Sequence, residues 1–182
     1  MLTKLYYFIG YLKIYFYKIM YRNKFHFENG LRIHPDIEIS IFGNSKVKIG
    51  KNFYSRKRIC IRVQDGGELT IGDRSFLNDG SMITCLKNVK IGNDVRIGQN
   101  VLIYDHDHNY KGDEIIDKQG MSLGNVIIED NVWIGSNVVI LKGTKIGSGS
   151  VIGAGSIIKD EIPKNSLVFC NRDLIIKKKK SQ

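Results

Sequence analysis

Proline is almost missing from this sequence, with 2 residues in 182. Such a chain has no Pro-rich linker and must make its turns by other means. Cysteine is scarce too. Cys60, Cys85 and Cys170 are odd in number and contain no Cys-x-x-Cys pair. That argues against a disulfide framework or a zinc ribbon, and for a reducing compartment. No uninterrupted apolar run spans a bilayer, because Lys13 and Lys18 break the most hydrophobic stretch. No short apolar core with a small-residue cleavage site follows the N-terminal charges, so a secretory leader is not expected.

Composition is otherwise ordinary, at 42% hydrophobic and 25% charged, and the length suits one domain. Glycine is plentiful at 19, which fits many tight turns. The net charge is +10, with +5 in residues 1–25 and +4 in residues 172–182. The body between them is close to neutral. A nucleic-acid binder carries a basic face on its folded body, so nucleic acid is not an expected partner.

An aliphatic residue recurs every six positions. From Ile128 the series runs Ile134, Ile140, Ile146, Ile152 and Ile158; upstream stand Ile91, Ile97 and Ile103, and before them Ile71, Leu77 and Ile83. Three residues after these aliphatics come Gly80, Asp94, Asn100, Asn131, Asn137, Gly143, Gly149 and Gly155, the types that adopt positive φ most cheaply. Two residues before them come small or β-branched residues such as Val95, Val132, Val138, Thr144 and Ser150. A six-step period with three agreeing positions predicts a short strand and a tight corner per hexad. Three hexads then close an 18-residue triangular coil, with the coils stacked in parallel over an inward isoleucine ladder. The prism is expected to reach back to about Ile33, with poorer register near residues 50–70 and at Lys87–Val89.

The run Ile128–Ser166, IEDNVWIGSNVVILKGTKIGSGSVIGAGSIIKDEIPKNS, resembles the repeats of hexapeptide-repeat acyltransferases. The resemblance covers roughly residues 40–177 and is nearest to the galactoside, maltose and nodulation-type O-acetyltransferases and their surface-polysaccharide relatives. It implies an all-β, left-handed parallel β-helix. It also implies a homotrimer with active sites between neighbouring prisms, acetyl-CoA as co-substrate, and a sugar or glycan as acceptor.

The hexads stop after Ile103 and resume at about Asn125. A polar excursion from a tight solenoid is a place for function, and this one holds His106 and His108. Transfer of an acyl group to a hydroxyl needs a base, and imidazole titrates near neutral pH. The resemblance places the catalytic histidine at His108, with His106 as the alternative. Asp105 or Asp107, or a backbone carbonyl, could orient the ring. Asp105 to His108 could also serve as metal ligands. The γ-class carbonic anhydrases, which share the implied fold, bind zinc through three histidines. No third histidine stands at a comparable place, since His26 and His34 lie near the start, so no metal is expected.

Trp133 is the only tryptophan, and its place in the hexad aims it outward. The resemblance makes Trp133, Asn78 and Met121 acceptor contacts. A family acceptor-binding aspartate falls at Leu86, where this chain departs from the pattern. Ser136, Gly153, Ala154, Lys159 and Lys177 match cofactor positions, with small residues admitting the pantetheine arm and Lys177 near the phosphates. Backbone N–H groups near Ser136 could hold the oxyanion. Arg172 stands where the family has a proline, and Lys178 to Lys180 read as a solvated tail. O-acetylation is expected, with N-acetylation of an amino sugar, or a non-catalytic or metal-binding prism, as alternatives.

Residues 1–25 read as an amphipathic helix. Leu5, Ile9, Leu12, Phe16 and Ile19 form one stripe, and Lys4, Tyr11, Tyr15, Lys18 and Arg22 another. The helix is expected to cap the prism, with contact to an anionic membrane surface through residues 1–24 as a second role. The domain plan is then helix 1–25, β-helix 26–163 with a loop at 104–125, and a C-terminal segment 164–182. The expected location is the cytoplasm, with peripheral contact at the inner membrane face left open.

Overall fold

The computed structural model describes residues 2–170, with side chains from Leu5 onward. Lys177, Arg172 and Lys178 to Lys180 lie outside the described residues.

Each hexad does two things. In Val132-Trp133-Ile134 the outer two side chains are buried and the tryptophan between them is exposed, as strand alternation requires. The next residues turn the corner, and Asn137 closes it at φ +57. All eight corner positions singled out by the repeat have positive φ, between +54 and +81. Asn and Asp tolerate this because their short polar side chains hydrogen-bond locally. The corners also bond coil to coil, as Asn137 N–H does to the Gln99 carbonyl at 2.8 Å.

Among the described residues the stack has three parallel faces of seven, seven and six strands. The first face runs from Phe25–Phe27 to Glu161–Ile162, the second from Arg32–Ile33 to Leu167–Val168, and the third from Glu38–Ile41 to Ile157–Ile158. The prism therefore begins before Ile33 and continues past residue 163. Its interior is the expected ladder: on the second face Leu77, Ile97, Ile134 and Ile152 lie in register and are all at most 1% exposed.

The expected 18-residue coil holds for one turn, Ile127 to Lys145. Upstream turns take 22, 22 and 20 residues, and the last takes 16. The reason is phase. Extra residues enter in pairs, lengthening strands such as Glu38–Ile41 and Lys46–Ile49 from two residues to four. A single insertion would turn every following side chain inside out, whereas a pair keeps the alternation. This is why the six-step period blurs near residues 50–70. The turn between Ile91 and Ile128 spans 37 residues and holds the excursion.

Helix α1 (Leu2–Tyr21) packs on the first coil, but not with its aliphatic stripe. Ile14 is fully buried in the core cluster. Gly10 lies against the Ile33 carbonyl so closely that any Cβ would collide with it. The Tyr7 hydroxyl meets that of Tyr54 at 2.9 Å, and the Tyr21 hydroxyl donates to the Ile39 carbonyl at 3.1 Å. Leu5, Ile9, Leu12, Phe16 and Ile19 are all exposed. The helix does cover the end of the prism, using the face opposite to the one that hydropathy marks.

Replacing one ladder residue should leave a cavity between two coils that cannot collapse. Ile134→Ala is expected to cost about 2–5 kcal/mol in urea unfolding. Lys90→Ala, outward on the strand Asn88–Ile91, should stay within about 0.5 kcal/mol.

Candidate functional site

The second face carries a groove of about 410 Å³. Its floor is a column of glycines, Gly98, Gly135 and Gly153, which the strand register stacks one above another. A Cβ on Gly98 would lie 2.8 Å from the Gly135 carbonyl carbon, and one on Gly135 2.6 Å from the Ala154 nitrogen. Bare backbone is therefore a packing requirement here, and it also leaves main-chain groups open to a ligand. One wall is the outward column Phe76, Arg96, Trp133 and Val151; the other holds Gln99, Ser136 and Ala154. Asn78 lies at the lower end. Five residues named from sequence, Asn78, Trp133, Ser136, Gly153 and Ala154, thus line one groove. Trp133 is 59% exposed beside it.

Corner N–H groups are satisfied by the coil above, both where the chain enters this face and, at Gln99, beside the groove. Asp73 N–H donates to Asn93 Oδ1, Asn93 N–H to Asp130 Oδ1, and Gln99 N–H to Ser136 Oγ at 3.3 Å. The Ser136 hydroxyl itself donates to Gln99 Oε1 at 2.6 Å. The residue in register above Ser136 is Ala154, which offers no side-chain acceptor.

The excursion is an antiparallel ribbon, strands His106–His108 and Met121–Leu123. The register places His106 opposite Leu123 and His108 opposite Met121. Alternation puts these four on one face of the ribbon, with Asp107 and Ser122 on the other. The ribbon leaves the prism at Asp105, which is fully buried. Its carboxylate accepts the N–H groups of Leu86, Lys87 and Asn88 at 2.7–3.1 Å. The Gly124 N–H closes the neck on the Asp105 carbonyl. Three donors converging on one carboxylate form an anion nest at the corner below. Burial pushes the Cys85 thiol beside it upward, and the Asp105 carboxylate adds to the shift.

Asp105 also orients a histidine, namely His106. Its Oδ1 lies 3.2 Å from His106 Nδ1. With a carboxylate as acceptor, Nδ1 carries the hydrogen and Nε2 presents a lone pair. Asp107 does not orient a ring; it pairs with Lys142 at 3.5 Å. His108 is exposed on the outer part of the ribbon, with Met121, 39% exposed, across from it.

The groove and the ribbon share no lining residue. They rise from different edges of the prism, one along the second face and the other where the third face turns into the first. Lys159 follows Ile157–Ile158 on the third face, is exposed, and does not line the groove. Within one chain the groove and the ribbon therefore stand apart. Leu86, where the resemblance implies an aspartate, is buried and gives its N–H to Asp105. The remaining histidines are elsewhere: His26 contacts the Asn23 carbonyl, and His34 stacks on Tyr6. No group of three or more His, Cys, Asp or Glu residues suited to a metal occurs among the described residues. Sequence reasoning passed over Arg96 and Gln99. Arg96 precedes Ile97 as Trp133 precedes Ile134, so the outward-pointing argument would have found it.

Residues 125–160 match the family model of the bacterial transferase hexapeptide (six repeats). The matched segment carries the hexapeptide repeat, and the three-sided stack continues the same solenoid architecture over the rest of the described prism. No curated protein matches by sequence comparison. Among solved structures, a mutant of AntD, an N-acyltransferase from Bacillus cereus, in complex with dTDP-4-amino-4,6-dideoxyglucose and Coenzyme A, is similar. Its TM-score is 0.73 at 18% identity, over 91% of this chain and 89% of that one. The hexapeptide-repeat acetyltransferase VCA0836 from Vibrio cholerae O1 biovar eltor, complexed with acetyl-CoA, aligns with TM-score 0.54 at 22% identity, covering 92% and 83%. NeuO, a polySia-specific acetyltransferase, aligns with TM-score 0.53 at 25% identity, covering 86% and 81%.

Asp105→Ala should strand three buried N–H groups, at about 1–3 kcal/mol each. Amide exchange at Leu86, Lys87 and Asn88 is expected to accelerate at least about tenfold, while exchange in the ladder around Ile152 stays unchanged. Unchanged protection at all three would contradict the nest.

Proposed function

We propose that this chain is an acetyl-CoA-dependent O-acetyltransferase acting on a sugar, such as a surface-polysaccharide or lipid-linked precursor, and that it works as a homotrimer. The observation that carries the reading is the split site: a glycine-floored groove on one edge and a histidine-bearing ribbon on another. A trimer lays the ribbon of one prism beside the groove of the next, and the two halves become one site.

The groove fits an extended thioester-bearing arm laid along the bare main chain of Gly98, Gly135 and Gly153. Acetyl-CoA supplies the activated acetyl group. In this reading Ser136, Gly153 and Ala154 line its path and Lys159 approaches it from the neighbouring prism. Trp133 and Asn78 position the acceptor, with Met121 packed beside the reacting hydroxyl. His108 takes the hydroxyl proton as the oxygen attacks the thioester carbon. The Ser136 N–H, with only Ala154 above it, donates to the developing oxyanion. The imidazolium then returns its proton to the departing thiolate. No covalent acyl-enzyme is needed.

His106 is a second candidate for the base, because Asp105 fixes its tautomer. A second acceptor class is an amino sugar. AntD, similar in fold, is described as an N-acyltransferase with a dideoxy amino sugar bound. The likeness to NeuO supports acetyl transfer to a glycan.

His108→Ala is expected to lower kcat/KM for CoA thiol release by about 100-fold or more, with the KM for acetyl-CoA unchanged and His106→Ala remaining active. Full activity in His108→Ala removes the assignment, and loss in His106→Ala alone transfers the role. Mass spectrometry of glycans incubated with acetyl-CoA identifies the acceptor, and an acetyl group released by mild alkali is an ester. Light scattering should give a trimer; an active monomer would overturn the shared site.

A further inference from the structure

The outward face of α1 is unusual for a protein surface. Leu5, Phe8, Ile9, Leu12, Phe16 and Ile19 are 45–70% exposed. At 100° per residue they fall within an arc of about 100° and run for roughly 20 Å. Large contiguous apolar surface of this kind marks a contact. The helix cannot turn this face inward, because Gly10 and Ile14 lock the opposite side to the first coil.

Charge decides what covers it. The sequence has no acidic residue before Glu28. Lys18 is exposed on the flank of the helix beyond Tyr15, and Arg22, also exposed, and Lys24 follow just past the helix end. Lys18 lies over the Phe27 ring at 5.0 Å, and none of the three forms an ion pair among the described residues. A second copy packed stripe to stripe would bring these cations together with no carboxylate on either helix to offset them. An anionic lipid headgroup layer offsets them directly. Tyr15, half exposed on the same flank, has the amphipathic character favoured at a headgroup boundary. No helix among the described residues is long and apolar enough to cross a membrane.

We propose that α1 lies flat in the interface of an anionic lipid bilayer, its aliphatic stripe among the upper acyl chains and Lys18, Arg22 and Lys24 on the headgroups, while its other face stays docked on the prism. Membrane attachment and prism capping then use opposite sides of one helix, and no unfolding is needed to bind. In the trimeric arrangement three such helices at equivalent ends multiply a weak attachment.

The test is flotation of the full chain with two vesicle types, phosphatidylcholine alone and phosphatidylcholine mixed with phosphatidylglycerol. The native chain should float with the mixed vesicles and partition at least about tenfold less onto phosphatidylcholine alone. Phe16→Glu combined with Ile19→Glu should reduce partitioning onto mixed vesicles by about 100-fold, with circular dichroism and thermal unfolding unchanged. Lys18→Glu combined with Arg22→Glu should erase the preference for anionic lipid. Native protein that stays at the bottom of the gradient, or a Phe16→Glu/Ile19→Glu protein that floats equally well, overturns the proposal. So does a native chain that fails to float but forms an assembly larger than that double variant, which would assign the stripe to a second copy. Flotation reads the helix alone, and thiol release with a soluble acceptor reads the site, so either conclusion can fall without the other.

Discussion

Everything in this molecule depends on keeping the inward alternation in phase from one coil to the next. Each buried side chain is half of a contact completed by the residue in register above it, and backbone groups on all three faces bond the same way. A one-residue slip would send Ile134 out and Trp133 in. Apart from corners shortened by two residues, as at Cys85–Asn88 and Ile158–Glu161, length changes take two forms. Residue pairs lengthen a strand without altering its phase, as in the 22-residue coils, and a closed excursion leaves and returns at one corner, as at Asp105 and Gly124.

That constraint shapes the candidate site. A regular wall leaves no deep hollow within a single prism, so a groove must be made by omission. The glycine column provides this, and the same glycines are required because neighbouring coils approach so closely. Chemistry-bearing side chains that do not fit the wall are placed on the excursion, which stands at another edge. Groove and ribbon thus stand apart on the chain's surface, and under the proposed function association of prisms is the simplest way to bring them together.

The sequence was most legible where one interaction repeats. The isoleucine ladder, the positive-φ corners and the outward Trp133 all follow from the six-step period, because each hexad solves the same packing problem. Legibility fell where the solution is used once. Asp105 looks like any loop carboxylate until the N–H groups of Leu86, Lys87 and Asn88 are seen to converge on it. The helix and its capping role were legible, but the face that docks was not. Hydropathy found the stripe from Leu5 to Ile19 but could not say what it faces. The side that docks is made of tyrosines, Ile14 and a glycine, and its selection rests on close approach at Gly10 together with hydroxyl bonds from Tyr7 and Tyr21. Tyrosine scores poorly on hydropathy scales, yet it buries large area when its hydroxyl finds a partner.

The position of Asp105 joins the fold to the site. The corner at Cys85–Asn88 is two residues shorter than those below it, and its three N–H groups would point into the interior at the level where the next coil breaks off. A neutral side chain in the coil above could satisfy one of them. A carboxylate satisfies all three and still has a lone pair directed at His106 Nδ1. The orientation of the imidazole is therefore tied to the same contact that ends the regular repeat, and the ribbon cannot shift at its root without disturbing both. A histidine two residues farther out, at His108, inherits a fixed ribbon face while its own ring remains exposed. Rigidity at the base and exposure at the tip are what a group must combine if it is to act in a groove belonging to a neighbouring chain.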